Sequence, residues 1–129
     1  MSGATSETPP TPAQDLFGLA VHHAVHARIC IERGRYWQAE YWIAEIRKYA
    51  LSLACRQRGL NGSYGRGFDD LPAEVLDPFR DTLVCSLERE ALLRALHAAI
   101  EGLLRESGEV REFALKVEGR LRELSDFRS

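Results

Sequence analysis

Residues 35 to 59 read RYWQAEYWIAEIRKYALSLACRQRG, and this stretch decides the fold. Ala39, Ile43, Ile46, Ala50 and Leu53 recur at alternating spacings of three and four, which puts them on one face of a helix and nowhere together on a strand. Gly59 follows as a ready left-handed cap, so the pattern predicts a long helix from about Arg35 to Arg58. Upstream, Phe17, Ala20, Ala24, Ala27 and Ile31 make a second stripe of the same kind, ended by Gly34. Thr11-Pro12-Ala13-Gln14 reads as its start: a capping Thr, Pro at the first helical position and Gln three residues after the cap. Residues 1 to 11 are Ser, Thr, Pro and Gly with almost nothing to bury, which predicts a disordered leader or linker.

Downstream, Gly59 to Pro72 reads GLNGSYGRGFDDLP, too rich in glycine for a regular helix. Long loops inside compact domains tend to be functional. Asp69 and Asp70 are expected to cap the segment that follows. Asp77-Pro78 predicts the start of a short third helix running through Val84. Ser86 is expected to cap a fourth, which carries Leu92, Leu96, Ala99 and Leu103 to about Glu106, and Gly108 breaks it. A fifth segment lines up Val110, Phe113 or Ala114, Val117, Leu121 and Leu124. The expected fold is all-α: an up-and-down bundle of four to five helices over residues 12 to 129, with a glycine-rich loop between the second and third.

The chain has 129 residues, 45% hydrophobic and 28% charged, enough for one domain to bury a core and too few for two. With 17 basic and 19 acidic residues the net charge is −2, so no general attraction to nucleic acid or anionic membrane is built in. No membrane span and no signal sequence are visible, which predicts a cytoplasmic protein. Cys30, Cys55 and Cys85 are far apart and odd in number, and are read as buried thiols.

Glu40 and Arg47 lie seven residues apart on the long helix, hence within about 20° around its axis and roughly 10 Å along it. Their neighbours on that face are Ile43, Ala44, Leu51 and Ala54. Charges among apolar residues are costly unless paired or used, so the pair is either structural or turned to a ligand. His22 and His26 sit one turn apart, a spacing that suits a shared metal or plain polar packing; no acidic ligand completes a metal site, and none is expected. His97 reads as a residue at the core edge. In the loop, Tyr64, Arg66 and Phe68 either follow a run of turns or border a ligand or a partner. The order G-x-x-G-x-G is neither a dinucleotide nor a P-loop fingerprint. The Arg–His pairs suit a helical ribonuclease poorly, because Arg94 stands too close to His97 and Arg89 too far.

The segments HARICIERGRYWQAEYWI, from His26 to Ile43, and YGRGFDDLP, from Tyr64 to Pro72, together with Arg47, resemble the helical C-terminal domain of aminoglycoside (kanamycin) nucleotidyltransferase-like proteins. The resemblance runs from Leu16 to about Glu106. It implies an accessory substrate-binding domain that forms one wall of an acceptor cleft, with Glu40 as the candidate base and Glu40, Arg47, Tyr64, Arg66, Trp37 and His26 as substrate-binding residues. The Gly-Ser and Asp-x-Asp elements of a nucleotidyltransferase core are missing, so this chain is expected to hold no cofactor and to have no activity of its own. The Mg ion and nucleoside triphosphate would then belong to a partner catalytic domain or subunit. The alternative is a structural dimerisation or interaction bundle that takes no ligand and meets another chain, or a second copy, through Trp37, Tyr41 and Trp42.

Overall fold

In a computed structural model that describes residues 12 to 127, the two apolar stripes become the longest helices. Helix α1 spans Ala13–Glu32 and α2 spans Tyr36–Gln57. The stripe residues Phe17, Ala20, Ala24, Ala27 and Ile31 pack against Ala39, Ile43, Ile46, Ala50 and Leu53, all ten buried. Gly34 (φ 73°) turns the chain between the helices and Gly59 (φ 69°) ends α2, both in the left-handed region that glycine enters without strain. Pro12 is the N-cap of α1 rather than its first helical residue, because its carbonyl accepts the N–H groups of Asp15 and Leu16. Thr11 and the expected leader lie outside the described residues.

The glycine-rich stretch holds two single turns of 3-10 helix, Ser63–Gly65 and Phe68–Asp70. The third helical unit begins earlier than Asp77: α3 spans Ala73–Leu76 and runs directly into a 3-10 segment over Asp77–Thr82. Pro72 starts it, so Asp69 and Asp70 do not cap it and remain exposed within their own turn. Helix α4 spans Arg89–Arg105 with Glu88 at its N-cap; the Ser86 hydroxyl donates to Glu88 (3.0 Å) instead of capping. Gly108–Val110 is a 3-10 turn, and α5 spans Arg111–Glu123. Ala114 and Leu121 of α5 are buried, and Val110, Phe113, Val117 and Leu124 pack at the core edge. No β-strand occurs among the described residues.

The side-chain contacts give the directions. Gln57 reaches Glu106, so α2 and α4 end at the same level, while Glu32 at the end of α1 pairs with Arg89 at the start of α4. Phe17 meets Phe113 edge-on (5.6 Å), which sets α5 alongside α1. The chain therefore runs up α1, down α2, back up through residues 73 to 82, down α4 and up α5. Phe79 on the return leg packs so closely on α4 that a Cβ at Gly102 would lie 2.5 Å from its ring.

Polar side chains close the ends of these elements, where backbone carbonyls lack helical partners. Arg28, itself buried, donates to the carbonyls of Leu124 (3.0 Å) and Asp126 (2.8 Å) beyond α5 and pairs with Glu32. Gln57 donates to the Glu106 carbonyl (2.6 Å), and Arg58 pairs with the buried Glu106 carboxylate (3.1 Å). Cys30 and Cys55 are buried, but Cys85 is exposed in the turn before α4, where no helix stripe draws it inward.

Candidate functional site

Helix α2 is packed on its Ala39–Ile43–Ile46 face, which leaves three further edges for its other side chains. The outer edge carries Trp37 (80% exposed), Tyr41 (54% exposed) and Lys48. From Trp37 to Ser52 this edge runs for about 22 Å. At its far end the loop closes over the helix to form an open groove of about 610 Å³ between Lys48, Tyr49, Ser52, Tyr64 and Phe68. Tyr64 is 95% exposed and has φ 56°, a left-handed conformation that costs a residue with a Cβ roughly 1 to 2 kcal/mol. Its ring carries the Arg66 guanidinium at 5.4 Å.

The second edge holds Glu40 and Arg47 and faces the return leg. Arg47 is partly buried, and its Nη1 donates to the carbonyl of Thr82 (3.1 Å) and to its hydroxyl (3.4 Å). That hydroxyl in turn donates to the Phe79 carbonyl (2.6 Å), so Arg47 fastens the end of the 3-10 segment to α2. Burial lowers the Arg47 pKa and the nearby Glu40 charge opposes the shift. Glu40 is half-buried and makes no hydrogen bond or ion pair within 4 Å among the described residues.

The third edge faces α1. There His23 stacks on Trp42 (4.8 Å, 24° between planes) and leans on Tyr49 (5.4 Å), while His26 is tilted against the same indole (5.0 Å, 35°). The His22 and His26 Nε2 atoms are 3.1 Å apart. Two polar atoms inside this stack, Nδ1 of His23 and Nε1 of Trp42, are buried with no hydrogen-bond partner. Burial pushes the His23 pKa down, partly offset by Glu45, which also pairs with Lys48 (3.0 Å).

The six residues singled out from the sequence are thus divided among three edges of α2: Trp37 lies on the outer edge, with Tyr64 of the loop in its groove and Arg66 against the Tyr64 ring, Glu40 and Arg47 lie on the second, and His26 of α1 packs on the third. His97 is exposed and its Nδ1 lies 3.3 Å from the Ser125 hydroxyl. Among the described residues no three His, Cys, Asp or Glu side chains are placed to hold one metal ion. The His23–Trp42–Tyr49 stack went unread in the sequence, although Trp42 and Tyr49 stand seven apart and therefore share a face. The Lys48–Ser52 side of the groove went unread because only folding brings the loop onto it.

The fold and these edges define an all-helical bundle with exposed aromatics and no clustered metal ligands among the described residues. Neither a family model, nor a curated protein sequence, nor a solved structure matches the chain. No helix among the described residues is long and apolar enough to cross a membrane.

Proposed function

We propose that this chain is a non-catalytic helical module that binds a partner protein along the outer edge of α2. The observation that carries this reading is the exposure of Trp37 (80%), Tyr41 (54%) and Tyr64 (95%) along that edge and its groove. Large aromatics held in water forgo most of the free energy their burial would supply, and they are enriched where interfaces concentrate their affinity.

The partner in this reading is a nucleotidyltransferase catalytic domain. Two things support that choice: the resemblance of residues 26 to 43 and 64 to 72, and the Glu40 carboxylate, which is half-buried and without a hydrogen bond or ion pair among the described residues. Glu40 lies on the edge of α2 next to the docking edge, about 60° around the helix from Trp37, and a carboxylate without a hydrogen bond there can take a proton from an acceptor hydroxyl that the partner brings beside it. Any Mg ion and nucleoside triphosphate then belong to the partner.

The test is reconstitution with a separately expressed nucleotidyltransferase catalytic domain of the kanamycin type, the class the resemblance implies. The two are expected to co-elute, and W37A/Y41A is expected to separate them. The chain alone, with Mg and nucleoside triphosphate, is expected to release no pyrophosphate above background. In the complex, Glu40→Gln should lower transfer by about 10² to 10⁴, the usual contribution of a general base. A complex indifferent to W37A/Y41A sinks the docking edge, and transfer indifferent to Glu40→Gln removes Glu40 from the chemistry.

A further inference from the structure

The outer face of α1 differs in character from the outer edge of α2. Between Asp15 at one end and Arg33 just past the other it presents Leu19, His22, Val25, His26 and Ile29, and the one charged residue at its border, Glu32, is already paired with Arg28 and Arg89. Leu19, Val25 and Ile29 are each about 40% exposed (41%, 39% and 41%). A helix apolar on both faces is ordinarily covered on both.

The order of residues on this face indicates what covers it. Asp15 and Arg33 lie nine positions either side of Ala24, Leu19 and Ile29 five, and His22 and His26 two. Ala24 is buried, and nine residues make about two and a half turns, so Asp15 and Arg33 both point directly away from the core and mark the two ends of the opposite face. A second α1 laid antiparallel on that face, about a two-fold axis at the level of Ala24, sets the residues along its midline against their mirror positions, while Val25, at the border toward α5, is left out because its mirror position, His23, is turned to α2. Leu19 then meets Ile29 of the other copy, His22 meets His26, and Asp15 meets Arg33, each contact occurring twice. A two-fold interface requires this self-complementarity. The charges at the ends fit it as well: neither Asp15 nor Arg33 has a hydrogen bond or ion pair among the described residues.

Two other features agree. Gly18 lies on the same face, and a Cβ there would meet nothing within 4 Å, so no neighbour within the chain requires a glycine that weakens the helix. Beside the face, a groove of about 290 Å³ between Val21, Val25, Val117, Arg120, Leu121 and Leu124 widens the apolar surface toward α5.

We infer that the occupant of this face is a second copy of the chain, paired through α1 about a two-fold axis at Ala24. The contact is about 27 Å long from Asp15 to Arg33. An interface of that extent belongs with the smaller specific ones, so self-association on the order of micromolar is expected.

The test is sedimentation equilibrium of the full chain in EDTA, which excludes a metal held by the imidazoles, with circular dichroism to confirm that each variant folds. The chain should pass from monomer to dimer with concentration. D15R and R33D should each raise the dissociation constant about tenfold, because each places like charges together at both ends of the interface. The double variant D15R/R33D should return it to near the starting value, and L19E should leave only monomer. W37A, on the α2 edge, should leave the dimer unchanged, so this result and the partner-docking result can fail separately. A chain that stays monomeric at the highest concentration reached, a double variant no better than the singles, or a dimer lost in W37A would each overturn the inference.

Discussion

Glu40 and Arg47 share a helix face yet do different work. Arg47 spends Nη1 on the Thr82 carbonyl and hydroxyl, closing the end of the return leg, whereas Glu40 contributes only a charge nearby. Removing the guanidinium leaves a buried carbonyl short of a donor, so Arg47→Met should cost roughly 1 to 3 kcal/mol. Glu40→Gln keeps shape and loses a charge that fills no hydrogen bond, and should stay within about 0.5 kcal/mol of the parent. Urea melts of the two variants read this directly; equal losses would mean that Glu40 is as structural as Arg47. The sequence placed both residues on one face correctly, because spacing on a helix is fixed by its pitch. It could not tell which was fastened, because Thr82 is 35 residues from Arg47 and its approach depends on how the return leg packs.

At the level of elements, the stripes of α1 and α2 and their glycine stops were legible because burial imposes the period that the residues carry. The connection between α2 and α4 was not, since its chain direction rests on short 3-10 pieces with no period to read. The start of the third unit fell at Ala73 rather than Asp77 because Pro72, at φ −57° and ψ 148°, already sets the entry to a helix. What holds this irregular leg in place is packing, and Gly102 shows it. By helix propensity alone, Gly102→Ala would stabilise α4 by about 1 kcal/mol. Here the new methyl would meet the buried Phe79 ring at 2.5 Å, and a ring against a helix backbone has little room to yield. The expected outcome is a net loss of about 1 to 3 kcal/mol, the range for overpacked cores. A rise in melting temperature would mean that Phe79 swings away and that the return leg is only loosely docked.

For the molecule as a whole, the titrating groups define a window of stability. The neutral form of His23 is favoured by burial, so its folded pKa lies below the ordinary 6.5. The unfolded chain therefore takes up this proton first on acidification, and stability is lost as pH falls from about 6.5 through the folded value. Glu101, held below 4.5 chiefly by its hydrogen bond from Arg122, adds a second loss as pH falls past that value. On the alkaline side the buried Cys55 thiol is pushed above its ordinary 9.0, so the folded state keeps a proton that the unfolded chain gives up, and stability falls as pH rises past 9.0. Thermal melts should thus show a plateau between about 6.5 and 9.0 with a shoulder on the acid side before the carboxylate loss. His23→Phe tests the assignment of that shoulder. The substitution removes the titrating ring and one of the two unpartnered polar atoms in the Trp42 stack, while keeping an aromatic face for the indole. Replacing an unsatisfied buried polar group by an apolar one of similar shape is close to neutral or stabilising. The variant should match or exceed the parent at neutral pH, and its melting temperature should stay level from neutral pH down to the Glu101 range. A shoulder that persists in His23→Phe would place the proton uptake on another group.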